Sequence, residues 1–290
     1  MKVVTVYHNK GGVGKTTTVV NLGAGLARRG YRVLLIDLDS QANTTYATGL
    51  AKSIYEEDDY FIANNFVALL ENVYTEVKDV TIRASYSSFP VDVIPSHIST
   101  TESESELQAK DAALTQIRLR KKLESVSYDY DFVVIDTPPA IGLFARVALA
   151  TCDYLIIPSD LRAFATQGLK NVINFMTGLN EFRQEVGRTE ILVLGVLPSK
   201  IPTNPKFIEK TLPGLEEKVR QRYKLPLFET RIYERTELAK CLSNEVIITG
   251  ETPEDIAYVP DPKSIFDYAP DSKSVVEFSS LVEEVLRKVK

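Results

Sequence analysis

Residues His8-Asn9-Lys10-Gly11-Gly12-Val13-Gly14-Lys15-Thr16-Thr17 leave this chain few ways to fold. An apolar, β-branched stretch, Val3-Val4-Thr5-Val6-Tyr7, precedes them, and a helical pattern over 18–27 follows. A strand, a glycine loop and a helix N-terminus in that order build an anion cradle. Glycines let consecutive backbone N–H groups converge on one point, and the helix dipole adds partial positive charge there. The loop from Gly11 to Thr17 is thus a candidate phosphate site. Lys15 is placed to reach β- and γ-phosphates, and the Thr16 hydroxyl to hold Mg²⁺. The usual pattern, G-x-x-x-x-G-K-[ST], departs here in two ways: Asn9 stands at the first glycine, and a second lysine, Lys10, heads the loop. A bare glycine turn with two solvated lysines is the simpler alternative, and the strand-to-helix context argues against it.

Further apolar runs follow at 32–37, 132–136, 154–158 and 191–197. They are continuously apolar rather than alternating, which suits parallel strands buried on both faces. Helical patterns lie between them, notably over 104–125, 164–185 and 205–223, and Gly30 is placed to end the first helix. The alternation predicts an α/β fold: a doubly wound, mostly parallel sheet with helices on both faces and ligands at the C-terminal strand ends. Residues 1–290 read as a single domain with loop insertions near 53–65, which holds Glu56-Glu57-Asp58-Asp59, and 250–272. In the second, Tyr258–Ile265 is echoed by Tyr268–Val275, a local duplication read as a surface loop; two copies do not make a repeat architecture.

The acidic residues fall at strand ends. Leu34-Leu35-Ile36-Asp37-Leu38-Asp39 puts two carboxylates just past a buried strand, and Phe132-Val133-Val134-Ile135-Asp136-Thr137-Pro138-Pro139 puts a third after four apolar residues. Asp136 is a candidate for binding Mg²⁺ through water, and the prolines stiffen the loop behind it. Taken alone, an Asp pair can simply end a strand; beside this loop it completes a phosphoryl-transfer site, which needs positioning and charge neutralisation more than covalent chemistry.

Lys10-Gly11-Gly12-Val13-Gly14-Lys15-Thr16-Thr17 resembles the signature of the ParA/MinD ATPases, and the likeness extends over most of the chain. It implies an ATPase using ATP and Mg²⁺, slow and stimulated by a partner, in which Lys10 reaches across a dimer to the other subunit's nucleotide. By the same resemblance Asp39 orients the hydrolytic water and Asp37 supports the Mg²⁺ water shell. Ser40 stands where the family commonly has proline, and Ser199, in Leu197-Pro198-Ser199-Lys200, falls on the adenine side.

Composition narrows the choice of relative. No apolar run approaches the roughly 18 residues of a membrane span. The first strand begins at once, so neither a signal peptide nor an added DNA-reading domain is expected. Two cysteines, Cys152 and Cys241, are too few for a disulfide framework, so a cytoplasmic setting is expected. The net charge of −5 argues against a strongly basic nucleic-acid binder, but the balance is uneven. Between Lys200 and Lys240 there are ten Lys/Arg against six acids, and from Glu245 to Lys290 five against ten. A basic face of this kind fits a ParA-type DNA-partition ATPase: a homodimer in the ATP state that binds DNA without sequence preference, is stimulated by a centromere-binding ParB-like protein and localises to the nucleoid. Arg220, Arg222, Lys224 and Arg235 are the candidate DNA contacts. Charged helices are also commonly just solvated, and acids interrupt Arg231-Ile232-Tyr233-Glu234-Arg235. A MinD-like membrane-associated positioning ATPase is the alternative, resting on the amphipathic spacing of Val275, Phe278, Val282, Val285 and Val289. That segment also carries Glu277, Glu283 and Glu284, which favours a core-packing final helix and no stable membrane association. A metabolic relative with an iron–sulfur cluster would need ligating cysteines that Cys152 and Cys241 do not supply.

Overall fold

The apolar runs become the middle of a sheet. The computed structural model describes residues 1–50, 59–248 and 257–289. Among these, β1 (Lys2–Val6), β2 (Val33–Asp37), β3 (Ile82–Arg83), β4 (Val91–Ile94), β5 (Phe132–Asp136), β6 (Tyr154–Ser159) and β7 (Leu192–Pro198) form one sheet in the order β3-β4-β2-β5-β1-β6-β7. Every pairing is parallel except that of the two-residue edge strand β3 with β4.

Successive residues of each strand feed opposite faces, which is why the runs had to be apolar throughout. Leu34 and Ile36 of β2 and Val133 and Ile135 of β5 join one core. That core is closed by α4 (Phe66–Glu71), α5 (Thr100–Glu124), α6 (Leu143–Thr151), α7 (Ala163–Glu185) and α8 (Leu212–Arg222). Val33 and Leu35 of β2 and Val134 of β5 join the other, under α1 (Lys15–Arg28), α9 (Thr236–Cys241), α10 (Ile265–Tyr268) and α11 (Lys273–Lys288). Two short helices, α2 (Asn43–Ala47) and α3 (Asp59–Ala63), follow β2.

Three segments differ from the sequence expectation. The helix expected over 104–125 begins at Thr100 and is broken at Asp111 (φ −165°, ψ 89°), whose Oδ1 accepts the Leu114 N–H (2.9 Å) and so restarts it as a cap. The acidic segment near 53–65 is helical at Asp59–Ala63 rather than a loop, with Phe61 buried; 53–58 lie outside the described residues. The segment near 250–272 is also structured. There β8 (Glu245–Ile248) pairs antiparallel with β9 (Ala257–Pro260), while 249–256 lie outside the described residues. The near-duplicate sequence nucleates helices because each copy supplies a serine N-cap, Ser264 to α10 and Ser272 to α11. Ile265, which ends the first copy, and the adjacent Phe266 are buried.

The chain winds outward from β1 in both directions, towards β2 and β4 on one side and β6 and β7 on the other. Ligands of open α/β sheets bind where the strand order reverses in this way. The glycine loop leaves β1 at that point.

Candidate nucleotide and metal site

Two glycines shape the loop. Gly12 (φ 74°) and Gly14 (φ 90°) adopt the left-handed conformation that side chains disfavour, and Gly14 turns the chain into α1 as its N-cap. No side chain caps that helix, so its first N–H groups face the loop. Lys15 follows at once. It is buried, its Nζ donates to the Lys10 carbonyl (3.3 Å), and burial pulls its pKa down while Asp136 and Asp39 oppose the shift.

The acids predicted from the strand ends converge on it. Asp136 Oδ2 accepts hydrogen bonds from Thr16 Oγ1 and Thr44 Oγ1, each 2.7 Å, and Oδ1 accepts the Thr137 N–H. Asp37 Oδ2 accepts from the Thr45 N–H and hydroxyl (both 2.8 Å), and its Oδ1 accepts the Asp39 N–H. Asp39 Oδ1 accepts the Gln41 N–H. All three carboxyls are buried. Burial raises the pKa of each, and the Asp136 charge raises that of Asp37 further. Three buried carboxylates against one buried ammonium leave the pocket short of positive charge. A hard divalent cation with oxygen ligands corrects that imbalance, and Thr16 and Asp136, already joined, are the pair that would hold it; Asp37 stands behind them. The donor set therefore fits Mg²⁺.

Thr44 and Thr45, which α2 presents to Asp136 and Asp37, are site residues that the sequence pattern does not single out. Ala42, in the left-handed region (φ 52°), turns the chain sharply enough after Asp39 to bring them back. Their one trace in the sequence is a pair of hydroxyls a few residues past the D-x-D pair. His8 is likewise unmarked as a brace. It is buried, its Nδ1 accepts the Lys10 N–H (2.9 Å), and a Cβ on Gly168 would stand 2.6 Å from its ring.

Ser199 is buried against the loop, where its hydroxyl donates to the Val13 carbonyl (2.7 Å). Together with Gly14, Thr17, Lys200, Tyr233 and Leu238 it lines a cleft of about 300 Å³ beside the start of α1. A cleft of this size and mixed lining next to a phosphate cradle suits a base and sugar.

The Lys10 carbonyl meets Lys15, but the Lys10 side chain is engaged elsewhere. Its Nζ forms an ion pair with Asp160 Oδ2 (3.0 Å) in the loop after β6. The candidate DNA contacts do not form one set. Arg220, Arg222 and Lys224 are exposed at the end of α8, with Arg220 at 3.9 Å from Glu217. Arg235 is ion-paired with Glu277 (2.9 Å), and Arg231 likewise with Glu216 (2.6 Å), so acids of α11 and α8 balance both charges.

Comparison with known proteins gives consistent matches. A family model described as an AAA domain matches residues 1–187. The sporulation initiation inhibitor protein Soj of Bacillus subtilis is 31% identical over 245 residues, covering 84% of this chain and 88% of Soj. The chromosome partitioning protein ParA of Myxococcus xanthus is 28% identical over 242 residues, 83% of this chain and 78% of that protein. Among solved structures, cobyrinic acid a,c-diamide synthase from Mycobacterium smegmatis with bound ATP analog and magnesium superposes with a TM-score of 0.74. The superposition spans 99% of this chain and 94% of the synthase at 23% identity, a likeness of fold.

Proposed function

The chain belongs to the ParA/MinD superfamily of P-loop ATPases, close to the ParA partition proteins, and from that membership we propose that it is a DNA-partition ATPase. ATP and Mg²⁺ are its ligands. The observation that carries the proposal is the convergence of Lys15, Thr16 and Asp136 with Asp37 and Asp39 at the mouth of the glycine loop. In this reading the loop amides and Lys15 bind the phosphates, Thr17 and Ser199 flank the nucleoside, and Thr16, Asp136 and Asp37 organise the metal. Bound Mg²⁺ supplies charge neutralisation at the phosphate oxygens. Asp39 accepts the Gln41 N–H through Oδ1 and orients the attacking water with its other oxygen.

Hydrolysis is slow until a ParB-like partner stimulates it, and the ATP state is a homodimer. In that dimer Lys10 of each subunit meets the other subunit's nucleotide, a two-fold exchange that makes dimerisation depend on ATP. The dimer holds DNA without sequence preference, and the exposed Arg220, Arg222 and Lys224 support this. Localisation on the nucleoid follows from that binding. The membrane alternative draws no support from α11: Val275, Phe278, Val282, Val285 and Val289 are buried, in one core with residues of α1. Among the described residues no helix is long and apolar enough to cross a membrane. Both cysteines are buried, burial pushing the thiols up to about 11 for Cys152 and about 12 for Cys241, and they lie in the cores on opposite faces of the sheet, so they do not share a cluster site.

The test is DNA binding by the purified protein with ATP, with ADP and without nucleotide. Binding with ATP alone is expected. Binding that ignores nucleotide, or none in any state, would remove partition from the reading.

A further inference from the structure

Both members of the Lys10–Asp160 pair are held in place by their own loops. The Lys10 backbone is fixed by His8, and Asp160 by the turn that carries it. Asp160 Oδ1 accepts the Arg162 N–H (3.1 Å), Leu161 takes the left-handed conformation (φ 57°) with its side chain fully buried, and the Leu161 N–H donates to Ser159 Oγ. The carboxylate is therefore presented to Lys10 by a constrained turn rather than found by a wandering side chain. The pair is partly open to solvent, the side chains being 34% and 16% exposed.

We propose that Asp160 is a positioning residue for Lys10, holding it within its own subunit until a partner's nucleotide displaces the carboxylate, and so sets how readily ATP triggers dimerisation. This rests on the cross-subunit role of Lys10 proposed above. A partly exposed ion pair is weak, so one carboxylate is outcompeted by the terminal phosphate of a triphosphate, which carries more charge and more acceptor oxygens. ADP lacks that phosphate and leaves Lys10 where it is. The two lysines of the loop are also linked: Lys15 Nζ rests on the Lys10 carbonyl, so phosphate that draws Lys15 inward loosens the head of the loop that Asp160 restrains.

Each dimer breaks two such pairs. Asp160→Asn keeps an oxygen for the Arg162 N–H and removes the charge, so it isolates the ion pair. With a slowly hydrolysed ATP analogue, sedimentation equilibrium of Asp160→Asn is expected to give a dimer tighter than wild type by roughly 2- to 30-fold. ATP affinity at protein concentrations where the chain is monomeric stays as in wild type. Asp160→Glu, which restores the charge, moves the dimer constant back towards wild type. In a Lys10→Ala background the Asp160→Asn effect vanishes, since nothing is left to release.

An Asp160→Asn dimer as weak as wild type or weaker, or an equal effect without Lys10, would overturn the assignment while leaving the dimer itself standing. A wild-type chain that stays monomeric with the analogue would instead remove the reading beneath it.

Discussion

Lys15 and Asp39 share one buried pocket, and the proposed mechanism divides its work between them, so their variants separate binding from turnover. Lys15 is the buried cation of the phosphate loop, and without it the phosphate charge has no partner inside a loop built around it. Lys15→Ala should lose high-affinity ATP binding in calorimetry; unchanged affinity would contradict the phosphate-loop assignment. In the proposed mechanism Asp39 acts on the attacking water, an interaction realised in the transition state. Asp39→Ala should bind ATP·Mg²⁺ and dimerise while turnover falls by roughly 10²- to 10⁴-fold, the range for a positioned acid or base. Near-normal turnover would assign the water to another residue. The placement of Lys15, Thr16, Asp37, Asp39 and Asp136 in one site is legible in the sequence because the lysine and threonine follow the glycine loop into a helix and the acids fall at strand ends, while Lys10 stands out only through the family signature. Thr44, Thr45 and Asp160 are not. They reach the site through turns in the left-handed region, at Ala42 and Leu161, and nothing local in the sequence marks a non-glycine residue as taking that conformation.

At the scale of elements, α1 must lie close to both the sheet and α11, and its glycines make the room. A Cβ on Gly25 would stand 2.6 Å from Val282 Cγ2 and 3.1 Å from Phe266 Cζ, both side chains being buried. Gly25→Ala gains about 1 kcal/mol of helix propensity and loses about 1–3 kcal/mol to overpacking. The packing loss is expected to win because Val282 and Phe266 are themselves packed into the core, giving a Tm lower by a few degrees in a thermal melt. A higher Tm would show that α11 moves freely. The same helix fixes the wall of the cleft beside the start of α1. Glu284 accepts the Glu229 and Thr230 N–H groups, and Glu277 accepts the Tyr233 N–H and pairs with Arg235. Five of the seven sheet strands are readable as continuous apolar runs. The others are not, for physical reasons: β3 has two residues, and β4 carries Asp92, half-buried and tied to Arg83, inside an otherwise buried run.

For the whole molecule, the sequence shows where positive charge accumulates but not which charges are already paired. Ten Lys/Arg between Lys200 and Lys240 look like one basic stretch; in the fold Arg231 and Arg235 are ion-paired, Lys200 and Lys240 lie apart, and Lys206, Lys210, Arg220, Arg222 and Lys224 are exposed on α8 and its flanks. DNA binding through that face should be indifferent to sequence and steep in salt. A dimer making roughly 6–10 phosphate contacts loses about 10³–10⁵ in affinity between ~50 and ~200 mM salt. Reversing Arg220, Arg222 and Lys224 together should abolish binding in a fluorescence-anisotropy titration, and full binding by that variant would move the footprint to another surface. In the proposed dimer two copies of this chain close over ATP through Lys10, and light scattering reads this out. With a slowly hydrolysed ATP analogue the wild-type mass should double, with ADP it should not, and Lys10→Ala should bind nucleotide yet remain monomeric and hydrolyse poorly. A Lys10→Ala variant that doubles its mass with the analogue and hydrolyses ATP at the wild-type rate would contradict the account.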